Sequence, residues 1–361
     1  MGSDKMNIVS LFSGIGGFEV GIQNSNLNSK FIFSSEIDKF AQTSYELNFN
    51  VKPQGDITKI HEFLIPDHDI LTAGFPCQSF SIAGKRRGFE DTRGTLFFDI
   101  ARIINWKKPQ FIILENVKNL ISHDNGQTVL KILKVLSDMN YTLDIKILNS
   151  KDFGTAQNRE RTYIIGVLDY PEEEYDLRYI TAPNQRKLKA FLNENEFKTF
   201  NFNLDNKNFK NVVLEDILED YDKVDDKYFF NKITTEDINT FESNKDITNK
   251  DGIIKLFDIP KVLHNDNERQ RRVYSSKGLA PTVLARTDSA KVLVENGGDK
   301  RIRKLTPLEC FRLQGFTDEF YFNLKNNGLS DNQLYKQAGN AVTTTVITAI
   351  ADKLKEIAGV K

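Results

Sequence analysis

The feature of this sequence that most limits its fold is an alternation of short apolar runs with helix-length segments between residues 7 and 168. Helical patterns such as Leu96–Trp106 and Thr128–Met139 lie between the runs. Runs without polar alternation predict a mostly parallel sheet that helices cover on both faces, so the predicted fold class is α/β and doubly wound. The predicted strands are Ile8–Phe12, Phe31–Ile37, Asp69–Phe75, Phe111–Val117, Leu143–Leu148 and Thr162–Leu168.

The pattern changes after about Thr181, where Asn, Lys, Asp and Phe dominate with weak periodicity until a helical pattern resumes at Thr306. A length of 361 residues also favours two domains. We predict a first domain formed by 1–181 plus 332–361 and a smaller second domain formed by 182–331. The apolar run Gln337–Leu354 is too short to be a domain, so we expect it to dock on the first one as a helix.

Composition excludes several classes of protein. No apolar run approaches the ~18 residues that a membrane span needs, and the polar start of the chain is not a secretory signal, so we expect a cytoplasmic protein. The two cysteines, Cys77 and Cys310, form no disulfide framework or multi-cysteine metal site, and no metal is expected. Cys310 lies in a helical pattern and is interpreted as core. The absence of heptads favours a monomer.

Net charge is −1, which by itself gives no indication of a nucleic-acid partner. The distribution is more informative, because Lys261–Lys304 contains eleven Lys and Arg against five Asp and Glu. Such a segment is either a solvated surface or a nucleic-acid contact.

A glycine-rich turn follows the first predicted strand in Leu11-Phe12-Ser13-Gly14-Ile15-Gly16-Gly17-Phe18. Cofactors bind at this position in doubly wound sheets, because glycine lets the backbone approach a ligand. Glu36 ends the second strand, where a carboxylate can accept hydrogen bonds from ribose hydroxyls. Asp56 ends the next element and could meet an adenine amino group. Together these positions favour an adenosine pocket, although each acid alone is more often a cap or a surface charge.

Three further clusters carry reactive side chains. Cys77 follows Pro76 beyond a strand end, where a helix N-terminus could lower the pKa of its thiol and make it a nucleophile. Glu115 ends the next strand and could donate a proton to a ring nitrogen. Arg159 and Arg161 precede the last strand at positions that share a face, and their guanidinium groups suit a phosphate or a pyrimidine carbonyl oxygen.

This ordered set of motifs resembles that of bacterial carbon-5 cytosine DNA methyltransferases of restriction–modification systems. The likeness covers roughly Asn7–Gly166 and Arg301–Ile350, and the part between lies where such enzymes carry a target-recognition region. The motifs are Phe12–Phe18, Glu36, Gly55–Thr58, Gly74–Ser81, Gly94–Phe98, Glu115–Val117, Gln157–Arg161, Arg303–Phe316 and Gln337–Val342. Two departures are Ser10, where an Asp is usual, and Ala341, which replaces a common serine.

The resemblance implies methyl transfer from S-adenosylmethionine to carbon 5 of a cytosine that is flipped out of duplex DNA. Cys77 would add to carbon 6, Glu115 would protonate ring nitrogen 3, and Arg161 would bind the carbonyl oxygen, with Arg159 stabilising that side of the pocket or a phosphate. The enzyme would protect host DNA, in the nucleoid, from a cognate restriction endonuclease that it does not contact.

The resemblance also implies binding residues. For the cofactor they are Phe12, Gly14, Gly16, Gly17, Glu36, Ile37, Asp56, Ile57, Pro76, Leu96, Asn340 and Val342. For DNA they are Ser81, Lys85, Arg93, Arg269, Gln270, Arg272 and Arg286, of which Arg269 or Gln270 would fill the gap left by the flipped base.

Three other functions compete with this interpretation. A nicotinamide oxidoreductase would explain the glycine turn and Glu36 but leaves the later clusters without a role. A transfer RNA methyltransferase of the same family would carry a Cys-Phe-Thr segment, which is absent. A DNA-binding module without activity is disfavoured because Cys77, Glu115 and Arg161 are all present.

Overall fold

The computed structural model describes residues 5–76, 96–178, 180–204, 209–243 and 247–359. The chain folds into two compact units. Unit 1 comprises Met1–Leu148, Glu160–Asp205 and Ile347–Lys361, and unit 2 comprises Asn149–Arg159 and Asn206–Val346. No helix in these described ranges is long and apolar enough to cross a membrane.

Unit 1 is built on a six-stranded sheet in the order β2-β1-β3-β4-β7-β5. β1 pairs in parallel with β2 and β3, β3 pairs in parallel with β4, and β7 runs antiparallel to β4. This confirms the predicted α/β sheet and its six strands. The strands are β1 (Met6–Leu11), β2 (Ser29–Ser35), β3 (Ile70–Gly74), β4 (Phe111–Val117), β5 (Tyr141–Asn149) and β7 (Glu160–Leu168).

Apolar side chains cover both faces of this sheet, and the central residues Val9, Leu71 and Ile112 are fully buried. The predicted helices between strands are present, each with one buried apolar face. Burial of such faces is what stabilises helices of this length. The helices of unit 1 are α1 (Gly17–Gln23), α2 (Lys39–Phe49), α3 (Leu96–Lys107), α4 (Gln127–Asp138), α5 (Pro183–Glu194) and most of α11 (Thr344–Ile357).

Unit 2 contains a five-stranded sheet in the order β13-β12-β10-β9-β8 and a two-stranded pair of β6 with β11. Its strands are β6 (Gln157–Asn158), β8 (Thr248–Lys250), β9 (Ile253–Asp258), β10 (Arg272–Ser275), β11 (Ala280–Pro281), β12 (Lys291–Asn296) and β13 (Asp299–Lys304). Its helices are α6 (Thr235–Ser243), α7 (Glu268–Arg271), α8 (Pro307–Leu313), α9 (Asp318–Asn326) and α10 (Asp331–Asn340).

A buried ion pair fixes the start of α8 in unit 2. Thr306 and Glu309 form a capping box, with Pro307 at the first helical position. Both oxygens of the Glu309 carboxylate also accept hydrogen bonds from the Arg303 guanidinium, at 2.6 and 2.8 Å. This two-bond pairing connects β13 to α8, and both side chains are almost fully buried.

The division into units places three segments differently from the predicted domains. Segment 149–159 lies in unit 2 because its strand β6 pairs with β11. Segment 332–346 also lies in unit 2, where the Tyr335 hydroxyl donates to the Leu305 carbonyl oxygen at 2.6 Å. Segment 182–205 lies in unit 1, and the α5 side chain of Leu192 is buried in the core there.

The C-terminal apolar run is two helices and not one, which corrects the prediction for Gln337–Leu354. α10 ends at Asn340, and α11 begins at Thr344 after a short break that contains the extended residue Ala341. The predicted docking on the first domain holds for α11. The Thr348 hydroxyl donates to the Gly21 carbonyl oxygen at 2.8 Å, and Asp352 accepts from the main-chain N–H of Asn26 at 2.7 Å.

Candidate active site

The carboxyl ends of the unit 1 strands form the edge where the predicted site lies. β2 and β3 lie on opposite sides of β1, so the direction of strand addition reverses at β1. Ligands of open α/β sheets bind at such a reversal, outside the carboxyl ends of the strands. The glycine turn after β1 occupies this position.

Glu36 connects the glycine turn to the end of β2. Its Oε2 accepts a hydrogen bond from the main-chain N–H of Gly14 at 2.8 Å, and its Oε1 accepts one from Asp38 N–H at 2.7 Å. The carboxylate is therefore held in one orientation at the strand ends. Each oxygen keeps further acceptor capacity, which leaves Glu36 able to accept from a ligand hydroxyl.

Gly16 allows the turn to pack against α2. Its φ is 93°, a conformation that favours glycine, and it forms the N-cap of α1. A Cβ at this position would lie 2.1 Å from Cε2 of Phe49. The Phe49 ring in turn packs on Tyr45, with ring centroids 4.5 Å apart. A side chain at Gly16 would therefore have to displace the Phe49 ring, and the positive φ would strain the turn.

Ile37, next to Glu36, gives this edge an apolar surface, because 67% of its surface is exposed. A carboxylate acceptor beside an exposed aliphatic side chain suits a nucleoside, which offers ribose hydroxyls and the apolar face of a ring. Phe12, in the glycine turn, has a φ of 54°. This backbone conformation is uncommon for a bulky residue, and it occurs most often at functional sites.

Asp56 and Ile57 are also predicted at the adenine, and their side chains have different surroundings. The Asp56 Oδ1 accepts from the hydroxyl and the N–H of Thr58, at 2.8 and 3.1 Å, and these hydrogen bonds lower the pKa of the carboxyl. Ile57 is buried in the core of unit 1. Its side chain is therefore committed to packing, and only its main chain remains to meet a ligand.

Glu115 and Arg161 form an ion pair at the same edge, with Arg161 Nε 3.2 Å from Glu115 Oε1. In the antiparallel register of β4 and β7, Glu115 lies opposite Tyr163, two residues from Arg161. Diagonal neighbours in such a pair share one face of the sheet. Only 12% of the Glu115 side chain and 17% of the Arg161 side chain are exposed, so the pair is largely desolvated yet open to a ligand.

Asn116 connects β4 to the end of β3. Its side-chain N–H donates to the Phe75 carbonyl oxygen at 2.7 Å, and its Oδ1 accepts from Val117 N–H at 2.9 Å. The amide is buried, so it has no water to replace these partners. It fixes the main chain one residue before Pro76, where the chain leaves the sheet edge.

Arg159 does not share the surroundings of Arg161, which corrects the prediction that the two arginines present one face. β6 ends at Asn158 and β7 begins at Glu160, so Arg159 sits at a break where strand alternation does not apply. Its guanidinium is in unit 2, where it donates to the carbonyl oxygens of Val283, Gly339 and Ala341 at 2.8–3.2 Å. With 2% of the residue exposed, the geometry does not support a contact with phosphate or substrate.

The basic segment of unit 2 lines a cavity of about 870 Å³. The guanidinium groups of Arg269 and Arg286 form no ion pair or hydrogen bond with any described residue, and both are exposed. Arg272, by contrast, donates to Glu268 at 2.7 Å. Gln270 lies on the same wall, where its Oε1 accepts from the side chain of Asn267.

The remaining predicted residues fall in three places. Pro76 is exposed, and Leu96 begins α3 and is half-buried. Asn340 is exposed at the end of α10, while Val342 is buried in unit 2. Cys77, Ser81, Lys85 and Arg93 lie outside the described residues. Within the described part of the chain, no group of three or more His, Cys, Asp or Glu side chains could hold a metal ion.

Comparison with known proteins identifies the class of enzyme. The sequence profile of C-5 cytosine-specific DNA methylases matches residues 6–356. The fold is similar to the crystal structure of S. pombe Dnmt2 methyltransferase, with a TM-score of 0.67 and 17% identity over 98% of this chain and 99% of that one.

Close relatives give the same family. The chain is 41% identical to the type II methyltransferase M.SsoII of Shigella sonnei, over 97% of this chain and 80% of that protein. It is 36% identical to the type II methyltransferase M.HhaI of Haemophilus parahaemolyticus, over 96% of this chain and 93% of that protein. The chain therefore belongs to the C-5 cytosine-specific DNA methylase family and is a DNA (cytosine-5-)-methyltransferase of the restriction–modification type.

Two residues that the sequence reasoning left without a role take part in this architecture. Asn116 anchors Phe75, and the Gln157 amide donates to the Leu313 carbonyl oxygen at 3.1 Å and accepts from Val283 N–H at 2.7 Å. Both lie inside motifs that the sequence singled out, Glu-Asn-Val and Gln-Asn-Arg. A buried amide next to charged residues was the available indication, because such a group must satisfy its hydrogen bonds.

Glu19, in the first turn of α1, makes the stability of unit 1 depend on pH. Burial raises the pKa of its carboxyl to about 7, and the Tyr45 hydroxyl, which donates to Oε1 at 3.1 Å, opposes this shift. The folded protein therefore holds this proton more tightly than the unfolded chain. The contribution of Glu19 to the free energy of unfolding therefore falls as the pH rises from about 4.5 to about 7.

We expect Glu19→Gln to remove that loss. Between pH 4.5 and pH 7.5, the free energy of unfolding of the variant should gain about 3 kcal/mol relative to wild type. Urea unfolding at several pH values measures this difference. Glu46→Gln, at an exposed position on α2, is the control and should show no such trend. A difference that does not change with pH would contradict the assignment.

Proposed function

We propose that this enzyme transfers a methyl group from S-adenosylmethionine to carbon 5 of a cytosine flipped out of duplex DNA, within a short specific sequence. The observation that carries the proposal is the desolvated Glu115–Arg161 pair at the sheet edge, next to the strand end that leads to Cys77. A carboxyl group beside a guanidinium matches the edge of cytosine, which offers a ring nitrogen next to a carbonyl oxygen.

Residues at the ends of β1 and β2 fit the methyl donor. Glu36 would accept from the ribose hydroxyls, Ile37 would pack on adenine, and the glycine turn, with Phe12, would lie beside the rest of the cofactor. Asp56 and the main chain of Ile57 would meet the edge of adenine. When bound, S-adenosylmethionine supplies an electrophilic methyl group on a sulfonium.

The reaction would begin when the Cys77 thiolate adds to carbon 6 of cytosine while Glu115 donates a proton to ring nitrogen 3. This would place electron density on carbon 5, which would take the methyl group that bound S-adenosylmethionine supplies, leaving S-adenosylhomocysteine. Loss of the carbon 5 proton to water would then allow elimination of the thiolate, and nitrogen 3 would return its proton to Glu115. Arg161 would hold the carbonyl oxygen and balance charge on that side of the ring.

Unit 2 would read the DNA sequence. Arg269 and Arg286, exposed on one cavity and without partners among the described residues, have the guanidinium geometry that binds guanine in the major groove or a phosphate. Lys85 and Arg93, in the segment that follows Cys77, would add phosphate contacts. In the cell, methylation of the target sequence would protect host DNA from a cognate restriction endonuclease.

The test is to incubate the purified protein with S-adenosylmethionine and duplex DNA of diverse sequence, and to map modified cytosines at single-base resolution. Methylation at carbon 5 in one short motif is expected. A parallel incubation with transfer RNA covers the alternative substrate. Modification of RNA without modification of DNA would overturn the proposed substrate, and failure to bind S-adenosylmethionine would overturn the proposed donor.

A further inference from the structure

The main chain of Thr282–Arg286 in unit 2, here called the 282–286 segment, is held by two buried side chains. The Val283 N–H donates to the Gln157 Oε1 at 2.7 Å, and the Val283 carbonyl oxygen accepts from the Arg159 guanidinium at 3.2 Å. The N–H and the carbonyl oxygen of Val283 are thus both bound, by two side chains that lie two positions apart in the sequence. Gln157 and Arg159 are at most 2% exposed, so neither can exchange these partners for bulk water.

Two more contacts fix the same segment. The Thr282 hydroxyl donates to the Asn158 carbonyl oxygen at 2.8 Å. Gly339 packs so closely against the segment that a Cβ there would lie 2.3 Å from the main-chain nitrogen of Ala285. Arg159 also donates to the Gly339 carbonyl oxygen, so one guanidinium joins the segment to the end of α10.

The 282–286 segment presents two side chains away from these contacts. Leu284 is 48% exposed, and Arg286 is exposed without a partner among the described residues. Both line the arginine-rich cavity of unit 2. Leu284 and Arg286 thus place an apolar and a cationic side chain side by side on this cavity, and DNA offers partners for both in thymine methyl groups, guanine edges and phosphates.

We propose that Gln157 and Arg159 are positioning residues, which hold the 282–286 segment so that Leu284 and Arg286 contact the DNA target. This rests on the proposed reading of DNA by unit 2. The two buried residues touch neither substrate nor cofactor. They act on the affinity and selectivity for DNA through the main chain of the segment, and not on the chemistry at cytosine.

Arg159→Lys tests this directly. Lysine keeps the positive charge, but a single ammonium cannot reproduce the planar guanidinium that reaches three carbonyl oxygens. We expect the Kd for a duplex with the target sequence to rise about tenfold, while the single-turnover methylation rate at saturating DNA stays within about twofold.

Arg312→Lys is the matched control. Arg312 is also in unit 2 and also donates to a main-chain carbonyl oxygen, that of Ile217 at 2.8 Å, but it does not line the cavity. Its replacement should leave the Kd for DNA unchanged. Thermal unfolding of both variants separates a local effect from general destabilisation.

A double-mutant cycle distinguishes positioning from a purely structural role. In a background of Leu284→Ala with Arg286→Ala, the segment has lost the side chains that it presents, so Arg159→Lys should change the Kd less than twofold. Gly339→Ala displaces the segment from its other side. In the wild-type background it should raise the Kd for DNA as Arg159→Lys does, and in the background of Leu284→Ala with Arg286→Ala it should change the Kd less than twofold.

Two outcomes would overturn the proposal. One is a large fall in the single-turnover rate of Arg159→Lys at saturating DNA. The other is a full rise in Kd that persists without Leu284 and Arg286. Failure of the proposed function would look different, because wild-type protein would then neither select a target duplex nor methylate it.

Discussion

Replacement of Cys77 by alanine should abolish methyl transfer, with a fall in the single-turnover rate of about 10⁴-fold or more. Without the thiolate, no bond forms at carbon 6, and carbon 5 of cytosine is not nucleophilic enough to attack a methyl group. Binding of S-adenosylmethionine and of target DNA should remain, since the proposed binding groups are elsewhere. Duplex DNA with 5-fluorocytosine at the target provides a second measurement, because fluorine at carbon 5 cannot leave as a proton and the covalent adduct accumulates.

Cys310→Ala is the control for this experiment. Cys310 is fully buried in unit 2, and burial raises the pKa of its thiol, so it supplies no thiolate. The variant should methylate DNA at close to the wild-type rate and lose about 1–2 kcal/mol of stability. A covalent adduct with fluorinated DNA in Cys77→Ala, or its loss in Cys310→Ala, would show that the nucleophile has been assigned to the wrong cysteine.

Glu115→Gln should reduce the single-turnover rate by about 10²–10⁴-fold, the usual contribution of a general acid. The amide keeps the size of the side chain and an oxygen for Arg161, so the edge of the sheet should survive. It has no acidic proton to give to ring nitrogen 3, so addition at carbon 6 becomes slow. The Kd for DNA should change little, which separates loss of chemistry from loss of binding.

Glu160→Gln is the matched control, since Glu160 begins β7 and is also in an ion pair, with Lys118 at 2.7 Å. That pair is exposed, and surface pairs of this kind contribute little. Its loss should leave the methylation rate unchanged. Equal losses in Glu115→Gln and Glu160→Gln would mean that charge at this edge matters and that proton donation does not.

The sheet of unit 1 could be predicted because its information is local. Each strand is a short apolar run, and apolar runs between helical patterns have few other solutions in a soluble fold. The same local pattern predicts that Glu115 lies near the end of a strand. The ion pair with Arg161 required only that β4 and β7 be neighbours, but the antiparallel direction of β7 was not evident from its composition.

The role of Arg159 could not be predicted, because its partners are carbonyl oxygens of residues 124 to 182 positions away. Main-chain acceptors leave no trace in a sequence, whereas a carboxylate partner does. The split of the C-terminal run had a similar cause. Ala341-Val342-Thr343 is as compatible with a helix as its neighbours, and only the structure reveals the break between α10 and α11.

The hydrogen bonds from Thr348 to Gly21 and from Asn26 to Asp352 have a consequence for biosynthesis. They join α1 and the residues that follow it to α11 within unit 1, across 327 and 326 positions, so these contacts form only after the ribosome has made α11. Unit 2 lies within the sequence of unit 1 and can complete its own sheet earlier. A chain that ends before Ile347 should therefore complete the sheet of unit 2 and leave unit 1 without the contacts of α11, so the two units should differ in their resistance to proteolysis.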